Sequence, residues 1–409
     1  MPGRAAGRRA PAAANPIVVG VVLTLAMTAA SAFQFVLGAL APAFSTDLGL
    51  SRSMLGGITA AYYLVAALAS SVLGRRIGVV SSRTGTFLLF AIGACACVFA
   101  AAVATVWALA LAGAVAGIAA GLSNPVTNLV IAGRGGRRGA LVGVKQAGVQ
   151  LSAVLVGLGM PALTVTYGWR GALAWLAGIM LAVGLVAASG APTSHTPRQF
   201  RQVTKQPLPP AVRWLCCYAF FMGAGMATFT TYLVLYGHDR LGLGASTAGM
   251  LLATFGAAGA TGRLVSSVLA ERGDRLGTWM TAGAFVAVAG VALFATTTNL
   301  MLVWAGIMVV GLSGAAWNGV VMLAVLRLSG EGQTGHATGV VLTGFFLGLG
   351  VAPPVFGAVV DATQAYGLGW LLTGACFAAA GVVMLTMSRR TQLASVGATR
   401  DLDAPLPPL

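Results

Sequence analysis

The sequence predicts an all-α integral membrane protein with twelve transmembrane helices arranged as two pseudo-symmetric six-helix halves. The first observation is composition: 58% of the 409 residues are hydrophobic and only 8% are charged, whereas soluble domains carry about 25% charged residues. The second is that the apolar residues form runs of about 20, the length that a helix needs to cross a bilayer. Because lipid offers no hydrogen-bond partners to the backbone, these runs are expected to be helices.

The predicted spans follow one another along almost the whole chain. An outer-membrane barrel would need shorter strands of alternating polarity, and the runs here are longer and more uniformly apolar. The spans are predicted at 17–40, 54–74, 85–104, 106–131, 140–163, 170–188, 212–236, 247–269, 277–297, 300–326, 336–359 and 367–387.

The longest internal loop divides the chain into two parts with six spans each. It reads SGAPTSHTPRQFRQVTKQPLPP and is polar, basic and proline-rich, as linkers are. The tetrapeptide SSVL ends span 2 from Ser70 and returns at the end of span 8 from Ser266, which indicates two copies of one unit. The expected organisation is a tail at 1–16, an N-terminal half at 17–188, a central loop at 189–211, a C-terminal half at 212–387 and a tail at 388–409.

The distribution of basic residues predicts the orientation. Of the 24 lysines and arginines, Lys145 and Arg263 lie within spans. If the N-terminus is cytoplasmic, Arg52, Arg170 and Arg240 lie outside and the other 19 lie in cytoplasmic segments. Such an excess on one side is the positive-inside bias of membrane proteins. We therefore expect both termini in the cytoplasm and the chain in a plasma membrane, the inner membrane in a bacterium.

Several other classes of protein are disfavoured by the residues that the chain lacks. No long polar segment could form the basic face that binds nucleic acid. The five cysteines lie in apolar runs and the three histidines are far apart, so we expect neither a metal site nor a cofactor. The motifs G-x-S-x-G, H-E-x-x-H and a phosphate loop are absent, and we therefore expect no enzymatic activity.

The junction after span 8 resembles a family motif. SVLAERGDR, from Ser267 to Arg275, is similar to the G-x-L-A-D-R-x-G-R motif that the major facilitator superfamily carries between spans 2 and 3, with a weaker copy between spans 8 and 9. The first copy here, SVLGRRIG, has Arg75 where the family has an acid. The resemblance implies the major facilitator fold and transport by alternating access. It also implies a gating role at the cytoplasmic helix ends for Arg75, Arg76, Gly78, Glu271, Arg272 and Arg275.

Lys145 in span 5 and Arg263 in span 8 are candidates for function because ionisable groups inside a membrane are costly. The alternative for each is that its long side chain snorkels to the headgroups. In this fold spans 5 and 8 face each other, so two cations would repel unless an anion lies between them. Arg263 in GRLVSSVLAER is similar to the span-8 arginine that binds carboxylate in monocarboxylate porters and oxalate/formate exchangers. The span-8 aspartate of proton-coupled members is absent.

These observations lead us to expect a secondary transporter of a small organic anion such as a monocarboxylate. None of the eight acidic residues lies well inside a span, which disfavours the export of cationic drugs. Efflux of an apolar drug or metabolite, and a non-transporting membrane sensor on the same scaffold, remain alternatives. The predicted substrate-binding residues are Arg263, Lys145, Asn124, Asn128, Gln146, Tyr62, Gln34, Trp317, Asn318 and Phe345.

The expected partners follow from this interpretation. They are a small-molecule substrate, the lipid bilayer, and a coupled proton or a counter-anion; nucleic acid is not expected. We expect the chain to act as a monomer.

Overall fold

The computed structural model describes residues 15–73, 80–132, 138–191, 207–271, 276–329 and 333–402. Within these ranges the chain forms thirteen helices and no strand, in agreement with the predicted all-α fold. The helices are α1 (Pro16–Ala39), α2 (Ala41–Leu48), α3 (Arg52–Val72), α4 (Ser82–Val103), α5 (Val106–Ala132), α6 (Arg138–Gly190), α7 (Pro210–Asp239), α8 (Ala245–Glu271), α9 (Leu276–Ala295), α10 (Leu300–Gly314), α11 (Trp317–Leu328), α12 (Thr334–Thr363) and α13 (Tyr366–Leu402).

Predicted spans 5 and 6 both lie in α6. At 53 residues this helix is long enough for two crossings. Gly168 interrupts it with φ 67° and ψ 167°, a backbone conformation that favours glycine. The chain reverses there, because residues on both sides of Gly168 return to α1: the carbonyl of Val144 accepts from Thr24 Oγ1 at 3.2 Å, and Gly190 packs against Val18.

Predicted span 10 is divided into α10 and α11, with Ala315 and Ala316 outside either helix. In the described chain, eleven apolar segments are long enough to cross a membrane. One of these segments consists of α10 and α11 together, and another is the long helix α6. The short helix α2 lies outside all the predicted spans. It packs on the turn after Gly168, where the indole Nε1 of Trp169 donates to Asp47 Oδ2 at 2.7 Å. The remaining predicted spans match single helices within a few residues at most ends.

The two halves touch along an inter-half surface formed by α3 against α12 and by α6 against α8. Glycines let the backbones approach at this surface. A Cβ at Gly56 in α3 would overlap the backbone of Pro353 in α12. A Cβ at Gly157 in α6 would lie 2.7 Å from the backbone nitrogen of Ala253 in α8, and similar crowding surrounds Gly256.

A polar cluster also joins the halves at the end of the bundle opposite the start of α1. Asp361 of α12 accepts hydrogen bonds from the backbone nitrogens of Arg52 at 3.2 Å and Ser53 at 2.8 Å, which begin α3. The Arg52 guanidinium donates to Asp239 Oδ2 at 2.7 Å, and the Tyr366 hydroxyl donates to the same oxygen. A carboxylate at a helix N-terminus is stabilising. We call Arg52, Ser53, Asp239, Asp361 and Tyr366 the latch, because their hydrogen bonds hold this end of the bundle closed.

Candidate functional site

A cavity of about 130 Å³ lies between the two halves. Helices of both halves contribute to it, with α1, α3, α5 and α6 on one side and α7, α8, α11 and α12 on the other. Its volume is below the range of about 300–1,000 Å³ that is typical of sites for drug-sized ligands. The lining residues are Met27, Ser31, Gln34, Phe35, Tyr62, Tyr63, Ala120, Ser123, Asn124, Gln146, Val149, Gln150, Met226, Thr230, Phe255, Arg263, Trp317, Asn318, Leu342, Phe345, Phe346 and Leu349.

The chemistry of this lining is mixed. Five side-chain amides and several hydroxyls lie among aromatic and aliphatic side chains. Arg263 is the one charged residue in the described lining, and no carboxylate accompanies it there. The arrangement can therefore receive a small molecule that carries a negative charge, hydrogen-bonding groups and some apolar surface.

Arg263 is positioned by backbone carbonyls of both halves. Its Nε donates to the carbonyl of Ala315 at 2.9 Å, where span 10 is divided, and its NH1 donates to the carbonyl of Gln146 in α6 at 2.8 Å. Ser266, one turn further along α8, donates to the carbonyl of Ala316 at 3.3 Å. The carbonyls of Ala315 and Gln146, one from each half, fix the orientation of the guanidinium.

Lys145 lies beside the cavity and is only 2% exposed. Its ammonium group donates to three side chains of α5: Asn128 Oδ1 at 2.7 Å, Asn124 Oδ1 at 3.1 Å and Thr127 Oγ1 at 3.1 Å. The snorkelling alternative does not describe this geometry, since the side chain points to α5 and is enclosed there. Lys145 thus joins α6 to α5 within one half and fixes the amide of Asn124, which does line the cavity.

Aromatic residues shape the rest of the cavity wall. The Tyr63 hydroxyl donates to Gln34 Oε1 at 2.7 Å, and the Tyr62 hydroxyl donates to the carbonyl of Ala30 at 3.2 Å. On the opposite half, the rings of Trp317 and Phe345 lie 4.6 Å apart. Because these groups are fixed by one another, the wall is largely preformed.

The structure brings eight of the ten predicted substrate-binding residues to one cavity, although their role in binding stays a prediction. The two predicted residues outside the described lining are Lys145 and Asn128. The eight in the lining are Arg263, Asn124, Gln146, Tyr62, Gln34, Trp317, Asn318 and Phe345.

The predicted gating motif lies outside the described residues. Arg75, Arg76, Gly78, Arg272 and Arg275 fall in undescribed segments, and Glu271 ends α8 with its side chain beyond what the structure describes. Its predicted role therefore stays a prediction. In the described part of the chain, no group of three or more His, Cys, Asp or Glu could hold a metal ion.

Sequence reasoning missed Gln150, which lines the cavity from α6. It lies four residues after Gln146, so the two side chains share a helix face. That spacing was a signal that could have found it, since Gln146 was already a candidate.

The comparisons with known proteins agree with the fold. Residues 22–353 match the Major Facilitator Superfamily. The chain therefore belongs to the major facilitator superfamily, a family of membrane transporters.

The fold is similar to solved structures of a bacterial homologue of the human lysosomal transporter Spinster. One is inward-facing and occupied, with a TM-score of 0.73, 16% identity, and coverage of 91% of this chain and 96% of that chain. Another is inward-facing and unoccupied, with a TM-score of 0.71, 16% identity, and coverage of 97% and 100%. At this identity the likeness extends to the fold alone. No curated protein matches the sequence.

The enclosed position of Lys145 predicts a modest effect of its removal. We expect Lys145→Met to weaken the binding of an anion held by Arg263 by less than about tenfold, which is ~1.4 kcal/mol, because the ammonium contacts side chains of α5 and reaches the cavity wall through Asn124. Titration calorimetry with an anion that binds the wild-type protein would measure this change in affinity. Arg83→Gln is a matched control that removes a cation bonded to the Ser189 carbonyl and should leave the affinity unchanged. Loss of all binding in Lys145→Met would contradict this assignment.

Proposed function

We propose that the chain moves a small organic anion, such as a monocarboxylate, across the membrane by alternating access of the cavity between its halves. The observation that carries this proposal is Arg263, the one charged residue in the described lining. Arginine offers carboxylates a planar pair of N–H donors and stays charged when partly desolvated. A substrate anion would accept from this guanidinium, which the carbonyls of Ala315 and Gln146 hold in place.

The position of Arg263 supports an anchoring role. An arginine within a membrane span costs at least about 2.5 kcal/mol at the span centre. Its bond to the carbonyl of Ala315 lies where span 10 is divided, and divided helices with exposed backbone groups are typical of transporter binding sites. Arg263 also contacts both halves, so an anion bound there would be sensed by both.

We further propose that this conformation faces the cytoplasm. The latch closes the end that the basic-residue distribution assigns to the outside, and the similar solved structures are described as inward-facing. In this orientation both tails are cytoplasmic, in a plasma membrane or bacterial inner membrane. The chain would act as a monomer with two halves at 17–188 and 212–387, and a co-transported proton or a counter-anion would provide coupling.

A second candidate is efflux of an apolar compound. Aromatic and thioether side chains form much of the lining, among them Phe35, Phe255, Phe346 and Met226. The small volume of about 130 Å³ favours the anion over a drug-sized molecule.

A thermal-shift screen of the purified protein separates the two candidates. A ligand that binds the folded state stabilises it by about 2.7 kcal/mol at 100 times its Kd. We expect short-chain carboxylates to raise the melting temperature and apolar drugs of several sizes to leave it unchanged. Hits should then be taken up by proteoliposomes containing the protein. Stabilisation by apolar compounds and by no anion would reverse the order of the two candidates.

A further inference from the structure

The side-chain carbonyl oxygen of Gln150 is buried and unpaired in the described part of the chain. The residue is 2% exposed, and its Oε1 has no hydrogen-bond partner among the described residues. It nevertheless lines the central cavity. An unpaired buried polar group costs about 1–3 kcal/mol, and native proteins rarely leave one without a partner. The side chain thus lies at the cavity wall with an unused acceptor that faces α8.

The neighbouring helix leaves room for this side chain. Gly259 of α8 faces it, and a Cβ at Gly259 would lie 2.9 Å from both the amide carbon and Oε1 of Gln150. Rotation about the last side-chain torsion exchanges the amide oxygen and nitrogen, since this torsion is broad and roughly two-fold. Gln150 can thus present an acceptor or a donor without moving its backbone.

The register of α6 and α8 sets the distance between Gln150 and Arg263. Arg263 bonds to the carbonyl of Gln146, and Gln150 follows Gln146 by four residues. On α8, Gly259 precedes Arg263 by four residues. On each helix, the two backbone positions are therefore about one turn, or about 6 Å, apart along the axis.

We propose that Gln150 is a specificity-determining residue that binds a second polar group of the transported anion. The substrate class is then a short carboxylate with a hydroxyl or similar hydrogen-bonding group about one helical turn from the carboxylate. This inference rests on the proposed anchoring of the carboxylate by Arg263. A carboxylate without the second group leaves the Gln150 amide unpaired, and sites of this kind reject such analogues strongly.

Matched pairs of ligands test this inference on the intact purified protein. Butyrate and 4-hydroxybutyrate, and pentanoate and 5-hydroxypentanoate, differ only in the terminal hydroxyl. Titration calorimetry should give at least about tenfold tighter binding of the hydroxylated member of one pair, a difference of ~1.4 kcal/mol. Equal affinity within both pairs would overturn the inference and leave the anion proposal intact.

Variants assign the preference to one side chain. Gln150→Met keeps an unbranched side chain of similar length and should reduce the hydroxyl preference to less than about threefold. Thr230→Val is the matched control, because the Thr230 hydroxyl lines the cavity but already donates to the Met226 carbonyl at 2.9 Å; it should retain the preference. An unchanged preference in Gln150→Met overturns the inference. Failure of every carboxylate to bind the wild-type protein overturns the anion proposal and this one with it. Should Gln150→Met not fold, equal affinity within both ligand pairs for the wild-type protein still overturns the inference.

Discussion

Arg263→Ala is expected to abolish anion binding, with a loss of at least about 100-fold in affinity, or ~2.7 kcal/mol. Removing one partner of a desolvated, hydrogen-bonded charge pair typically costs about 2–5 kcal/mol. Arg263→Lys retains the charge but loses the planar pair of donors, so we expect affinity to fall by about tenfold or more. Binding is measured by titration calorimetry with the carboxylates from the thermal-shift screen, and uptake is measured in proteoliposomes.

The controls for Arg263 separate its charge from its structural bond to span 10. Arg263→Ala also removes the donor to the Ala315 carbonyl. Ser266→Ala removes the donor to the adjacent carbonyl of Ala316, and Ser266 is outside the described lining of the cavity. We expect Ser266→Ala to bind anions normally. If Arg263→Ala binds and transports its substrate as the wild-type protein does, the anion hypothesis is wrong and apolar efflux takes its place.

Asp361→Asn is expected to open the latch. The carboxylate of Asp361 accepts from two backbone nitrogens at the start of α3, whereas an amide has only one oxygen and brings an N–H donor toward the same groups. We expect the closed state to lose about 1–2 kcal/mol, which is a fivefold to thirtyfold shift toward the state open at the latch end. Electron paramagnetic resonance would measure this as a longer distance between spin labels on the exposed residues Thr46 and Asn299, after replacement of the five native cysteines.

The matched control for the latch is Asp47→Asn. Asp47 is also an acid beyond a predicted span at the same end, but it accepts from Trp169 within its own half. Its replacement should leave the distance distribution unchanged. The latch would have no role in closure if Asp361→Asn and the wild-type protein gave the same distribution.

The helices were predictable because lipid imposes length and composition on each span. Features that depend on packing rather than on composition could not be predicted from the sequence. No apolar run could show that span 10 divides at Ala315 and Ala316, since both residues suit a helix and their carbonyls accept from Arg263 and Ser266 of the distant helix α8. The role of Asp361 was also hidden, because an acid at the end of a span is usually solvated, and its partners lie about 300 positions away in the chain.

The candidate site shows the same limit. By hydrophobicity alone, Lys145 and Arg263 gave similar signals, each a cation about five residues inside a predicted span, although only Arg263 also carried a family resemblance. Their surroundings differ because of helix rotation: Lys145 turns toward the amides of α5, and Arg263 turns toward the cavity. Hydrophobicity alone does not determine rotation in a helix that is apolar on all sides. The sequence was sufficient to identify the polar candidate residues, but it did not show which of them contact one another.

The glycines of the inter-half surface limit which substitutions this sequence can accept. Gly56, Gly157 and Gly256 have the backbone of the other half where a Cβ would stand, so even alanine would wedge the halves apart. Gly57, Gly143 and Gly159 have open space at that position and can accept small side chains. Tolerance to substitution across the 57 glycines is therefore uneven. A saturation-mutagenesis library selected only for folded protein in the membrane would therefore identify the glycines at the contact between the halves, without any transport assay.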